Sequence, residues 1–191
     1  MTVKQMMDFL HIAERLKDNI RHCTTSKRRA ESVAEHSWRV SLMAMMLVHE
    51  IKDVDFYKIL QMCILHDLGE SITGDIPTFW KTEEHTKIEE MAVFDLLKKL
   101  PENLQNDWKA LFLEMDAQQT KEAKIYKALD KLEAVIQHNE SPLDTWLPLE
   151  YELNQTYGKE EAETAHPFLA ELRQLAIEDT KQKLIQEIPK K

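Results

Sequence analysis

The 191-residue chain carries 34 acidic against 25 basic residues, a net charge of −9 that leaves no broad basic face for a nucleic-acid polymer. Its 43% hydrophobic and 31% charged content excludes a disordered or membrane-embedded chain. Three glycines and six prolines are too few for an all-β protein built on tight turns, so composition points to an all-α fold with one substantial core.

Two cysteines, Cys23 and Cys63, make no Cys-x-x-Cys motif and read as reduced thiols of a cytoplasmic protein. The segment Met1-Thr2-Val3-Lys4-Gln5 has no basic stretch followed by a long apolar run, so neither a signal peptide nor a membrane span is expected.

Val3, Met6, Met7, Leu10, Ala13 and Leu16 recur at helical spacing and predict a first helix over about 3–20. Residues 21–29, which include Arg21, His22 and Cys23, are polar and basic, and most of their charges read as a solvated loop. A second helix is expected from Ser32 to about Ile51. It carries Val33, His36, Val40, Met43 and Leu47 on one face, and its second half, apolar all round, marks it as central.

Asp55 is a cap candidate for the next helix, which ends near Gly69. That helix carries Ile59, Leu60, Met62, Cys63, Ile64 and Leu65 into the pair His66-Asp67. Both residues are expected to lie away from solvent, and a buried carboxylate needs a cationic partner or a metal. Glu70, at i+4 from His66 and i+3 from Asp67, can reach the same place.

Residues 71–78 read as a loop with Gly74 and Pro77 bracketing Asp75. Amphipathic helices follow over about 84–100, from Pro101-Glu102 to near Met115, and over about 120–139. In the last of these Asp130 sits on a second, small apolar strip with Ala123, Tyr126 and Ala134. After the break at Ser141-Pro142, two final helices are expected over 149–157 and 167–188. No repeat, low-complexity tract or linker interrupts the chain.

Three helices thus deliver His36, His66-Asp67 and Asp130 towards the interior. Singly, each has an ordinary explanation: a core histidine bonded to a carbonyl, or a surface aspartate between Lys127 and Lys131. Together they account for one another's burial. Two imidazoles and two carboxylates suit one divalent transition metal such as manganese, cobalt or iron better than a closed structural zinc site. Glu70 stays free to handle a water. The remaining histidines, His11, His49, His85, His138 and His166, show no ligand spacing and read as surface or packing residues.

The histidine, the later His-Asp pair and the distant aspartate resemble the HD-domain metal-dependent phosphohydrolases. More narrowly, Ala34-Glu35-His36-Ser37, His66-Asp67-Leu68-Gly69-Glu70 and Thr73-Gly74-Asp75-Ile76-Pro77-Thr78 are similar to the 5'-deoxynucleotidase branch. The resemblance covers roughly residues 20–135. It implies an HD-type helical bundle over residues 1–191, with a core of about 20–140 on which helices of about 148–188 pack.

It also implies a metal held by His36, His66, Asp67 and Asp130, catalytic carboxylates at Glu70 and Asp75, and a homodimer. Arg21 matches the arginine that orients the substrate phosphate, and Asp75, Ile76, Pro77 and Thr78 match the substrate-contacting loop. The bacterial enzymes place a tryptophan after that arginine, near the sugar, where this chain has His22. The small nucleotide substrate implied is a deoxyribonucleoside 5'-monophosphate. Other HD phosphohydrolases, acting on ribonucleotides, cyclic nucleotides or an alarmone, and a non-catalytic nucleotide-binding module are the competing readings.

Overall fold

The computed structural model describes residues 1–187. Helix α1 (Val3–Ala13) runs into a 3-10 turn (Glu14–Lys17), then into strands β1 (Ile20–Thr24) and β2 (Ala30–Ser32). Helices α2 (Val33–Met46), α3 (Phe56–Leu65), α4 (Glu70–Thr73), α5 (Glu83–Leu97), α6 (Glu102–Ala117) and α7 (Lys121–Glu140) follow. A short 3-10 turn (Leu143–Thr145) leads to α8 (Glu150–Thr156), α9 (Lys159–Ala165) and α10 (Pro167–Glu187). The fold is all-α apart from the hairpin, as composition predicted. Residue 188, the expected end of the last helix, lies outside the described residues.

Helix starts are set by side chains that take up free backbone N–H groups. Ser32, Asp55, Thr82 and Thr120 each accept from the amide three residues on, and Ser32–Glu35 forms a reciprocal capping box. Helix ends were harder to read. The first helix stops at Ala13, short of 20, and tightens into a 3-10 turn. The second stops at Met46, with turns to Ile51. Residues 159–165, expected as a connection, form α9.

Helix α7 is the axis of the bundle and packs against α2, α3, α6, α9, α10 and β1. Its Ile125, Leu129 and Leu132 are buried with Val33 and Val40 of α2 and Ile59 and Met62 of α3. Two expected burials fail. Ile64 is exposed on the outer side of α3, and the second half of α2 is not buried all round. Only one side of α2 meets α3 and α7, so Trp38, Leu42, Met45 and Met46 face outward.

The segment read as a solvated loop is an antiparallel hairpin in which Ile20 lies opposite Ser32 and Thr24 opposite Ala30. Five residues of β1 are thus matched by three of β2, an irregularity that breaks strict alternation. Arg21, His22 and Cys23 consequently all line one cleft.

The C-terminal helices are tied to α7 by polar contacts. The Arg173 side chain is fully buried; its Nε donates to Tyr157 O (2.9 Å) and its Nη2 to Asn154 O (3.1 Å), serving the carbonyl end of α8. Burial pushes its pKa down. Thr180 donates to Asn139 Oδ1 at 2.8 Å, and Asn154 donates to the same oxygen at 2.9 Å.

Candidate active site

Helix α3 ends at Leu65, and His66 and Asp67 occupy the turn between α3 and the short α4 that opens on Glu70. His36 comes from the second turn of α2 and Asp130 from the middle of α7. Packing of these elements brings His36 Nε2 to 3.1 Å from Asp130 Oδ1 and 3.9 Å from Asp67 Oδ2. His66 Nε2 lies 3.1 Å from Asp67 Oδ2, 3.6 Å from Asp130 Oδ1 and 3.4 Å from His36 Nε2.

The protonation pattern of the two rings follows from their other nitrogens. His66 Nδ1 donates to Cys63 O at 2.9 Å, and His36 Nδ1 donates to Glu133, a carboxylate with no exposed surface. Both Nε2 lone pairs then point at each other and at two carboxylate oxygens. Four acceptors facing one another need a cation or extra protons between them. Metal bonds of about 2.1 Å set neighbouring donors some 3.0–3.5 Å apart, close to the spacings here.

Asp67 Oδ2 is also buried and accepts no hydrogen bond among the described residues, as an atom reserved for a metal does. His36, His66 and Asp67 therefore fit a divalent metal, and Asp130 Oδ1 lies within 3.6 Å of both imidazoles. Glu133 sits behind His36 as such ligands are ordinarily buttressed.

The site's electrostatics express the same competition. Burial opposes the charged form of Asp67, but the adjoining His66 and His36 outweigh it and hold the carboxyl below its ordinary range. Burial likewise opposes Asp130, and Lys127, 2.8 Å away, with both imidazoles holds it well below. Both histidines are raised by their carboxylates despite burial and, for His36, despite Arg21.

A cleft opens over this centre. Arg21, His22, Asp67, Glu70, Asp75, Ile76, Pro77, Thr78 and Asp130 all line it. His36 and His66 stand behind its floor, turned onto Asp67 and Asp130. Arg21 reaches across, with Nη1 3.7 Å from Asp67 Oδ2 and Nε 3.3 Å from Glu31 Oε2. Burial alone depresses its pKa; Asp67, Glu133, Asp75 and Glu31 more than reverse this, so it stays a cation. Glu70 is 4% exposed, and its pKa is pushed up to about 9 by burial and by Asp67, Asp75 and Glu89. Burial and Asp67 also raise Asp75, against the pull of Arg21.

Several residues in and behind the cleft escaped the sequence reading. Glu133 lies three residues after Asp130 and was detectable on that strip only by asking what the helix covers. His138, read as surface or packing, lines the cleft; its Nδ1 is 3.4 Å from Cys23 Sγ and its Nε2 3.3 Å from Glu150 Oε1. Glu150, Leu153, Asn154 and Tyr157 of the C-terminal region form a wall, and no motif announced them. Lys81 pairs with Glu89 of α5.

Fold and site together define a helical metal-dependent hydrolase, and comparison with known proteins bears this out. The chain belongs to the HD domain family, whose model matches residues 13–172. The 5'-deoxynucleotidase HDDC2 of Homo sapiens is 31% identical over 142 residues, covering 72% of this chain and 68% of that one. Its namesake in Xenopus laevis is 32% identical over 139 residues, covering 70% and 68%. A crystal structure from Magnetospirillum magnetotacticum, described as a predicted metal-dependent phosphohydrolase, shares the fold with a TM-score of 0.81. It is 23% identical, with 95% of this chain and 93% of that chain covered.

Proposed function

We propose that this protein hydrolyses deoxyribonucleoside 5'-monophosphates to a deoxynucleoside and phosphate, with the metal held by His36, His66, Asp67 and Asp130. The observation that carries the reading is the set of inward-facing acceptors lying beneath Arg21, with Glu70 and Asp75 on the same cleft. The relatives named 5'-deoxynucleotidase support the choice of substrate. When bound, a metal such as manganese, cobalt or iron supplies Lewis-acid polarisation of the phosphoryl group and a more acidic water.

The chain's own residues do the rest. Arg21, fixed by Glu31 and Asp67, clamps the phosphate and offsets charge on its equatorial oxygens. Glu70, on the same cleft, accepts the proton of the attacking water. Asp75, also raised, protonates the departing 5'-oxygen. His22, Ile76, Pro77 and Thr78 border the remainder of the substrate.

The test is phosphate release from deoxy and ribo 5'-monophosphates with manganese, cobalt, magnesium or chelator present. Metal-dependent release from deoxy substrates is expected; release from ribo substrates alone, or from cyclic nucleotides alone, overturns the assignment. Glu70→Ala is expected to keep its metal by elemental analysis and lose about 100-fold or more in turnover, whereas Asp67→Ala loses the metal itself. Free thiols at Cys23 and Cys63 support a reducing, cytoplasmic setting. The outward face of Trp38, Leu42, Met45 and Met46 supports pairing with a second copy, which solution mass measures.

A further inference from the structure

We propose that the nucleobase is held by an aromatic lip of His22, Phe79 and Trp80 that reads it by its π-face. This rests on the nucleotide reading above and adds to it how the base is recognised. The three rings form one cluster. The Phe79 and Trp80 centroids are 5.0 Å apart at 75°, His22 and Phe79 are 5.5 Å apart at 88°, and His22 and Trp80 are 6.1 Å apart at 53°.

The cluster stands in the right place. His22 follows Arg21 on the irregular strand, and both line the cleft together with Phe79, so an ester whose phosphate lies on Arg21 must lead past the lip. It is also built to stay in position. His22 Nε2 lies 3.3 Å from Glu150 Oε1, a buried carboxylate whose other oxygen accepts from Leu147 N–H. Trp80 N–H donates to Pro77 O at 2.8 Å, and the hydroxyls of Thr78 and Tyr157, 3.2 Å apart, tie the loop to the C-terminal wall.

Trp80 nevertheless leaves 59% of its surface exposed. A tryptophan beside a cleft with that much open ring has surface left to give to a ligand. The lip presents three ring faces, and stacking is tolerant because every base has a π-face. The lip thus discriminates a nucleotide from a base-less sugar phosphate while accepting all four bases.

The experiment compares KM for the four deoxynucleoside 5'-monophosphates with KM for deoxyribose 5-phosphate in the wild-type protein, Trp80→Ala and Trp80→Phe. A base contribution of about 5- to 100-fold is expected in the wild-type ratio for each base. It should fall towards unity in Trp80→Ala and return in Trp80→Phe. A ratio unchanged in Trp80→Ala, or an equal loss on both substrate types, overturns the proposal. Quenching of tryptophan fluorescence by deoxyadenosine, which has no phosphate, is expected in the wild type and not in Trp80→Ala. That signal tests the lip even if no ester is hydrolysed, so failure of the lip and failure of the hydrolase reading are told apart.

Discussion

At the residue scale, what the sequence disclosed was decided by neighbours. Asp67 stood out because a carboxylate followed an apolar run, and its side chain is partly buried against both histidines. Glu31 and Glu133 carried no such flag, although they hold Arg21 and His36 in place. Glu133 lies 97 residues from His36, and Glu31 meets Arg21 across an irregular hairpin, pairings that no local pattern specifies. Glu31 gives a direct test. Burial, with Glu133 nearby, pushes its pKa up to about 7 from 4.5. The unfolded chain therefore releases this proton first, and stability falls as pH rises from about 4.5 to 7. Glu31→Gln keeps an acceptor for Arg21 and removes that slope. Thermal unfolding should show the variant gaining about 1–3 kcal/mol over the wild type at pH 8 and little at pH 4.5.

At the scale of elements, helix starts were legible because caps are local: Ser32, Asp55 and Thr120 mark them in the sequence and in the structure. The hairpin was not, because Arg21, His22 and Cys23 lack the alternation that marks a strand, and their register is irregular. Nor was α4 separable from α3 by periodicity, since the turn at His66–Gly69 keeps the helical spacing of Glu70. That short helix depends on close approach. A Cβ added at Gly69 would sit 3.0 Å from Glu89 Cγ, Glu89 O and Val93 Cγ2. Gly69→Ala must therefore push α4 from α5, with an expected cost of about 1–3 kcal/mol in denaturant unfolding. The adjoining Glu70 should move with it and slow turnover.

At the scale of the whole molecule, the proposed metal donors come from three elements, α2, the α3–α4 turn and α7, of which α2 and α7 are also joined by Arg39 to Gln137 and Glu140. A bound ion would therefore cross-link the core. Metal at about 100-fold above its dissociation constant should add about 2.7 kcal/mol, or a rise of roughly 5–10 °C in Tm for a chain of this size. Chelator should reverse the rise and Asp67→Ala should abolish it; scanning calorimetry with manganese checks both. The helical class was readable from composition, and the convergence of His36, His66, Asp67 and Asp130 from spacing. The cleft's second wall was not, because Glu150, Asn154 and Tyr157 gain meaning only through Arg173 and Thr180, which dock their segment on α7.

That arrangement has an outcome in time. Translation delivers the amino terminus first. His36, His66, Asp67 and Asp130 all leave the ribosome before any part of the wall, and Arg173, which secures that wall, is among the later residues to emerge. A nascent chain thus possesses every proposed ligand for its ion, together with Arg21 and the loop of residues 75–80, before Glu150 arrives to fix His22.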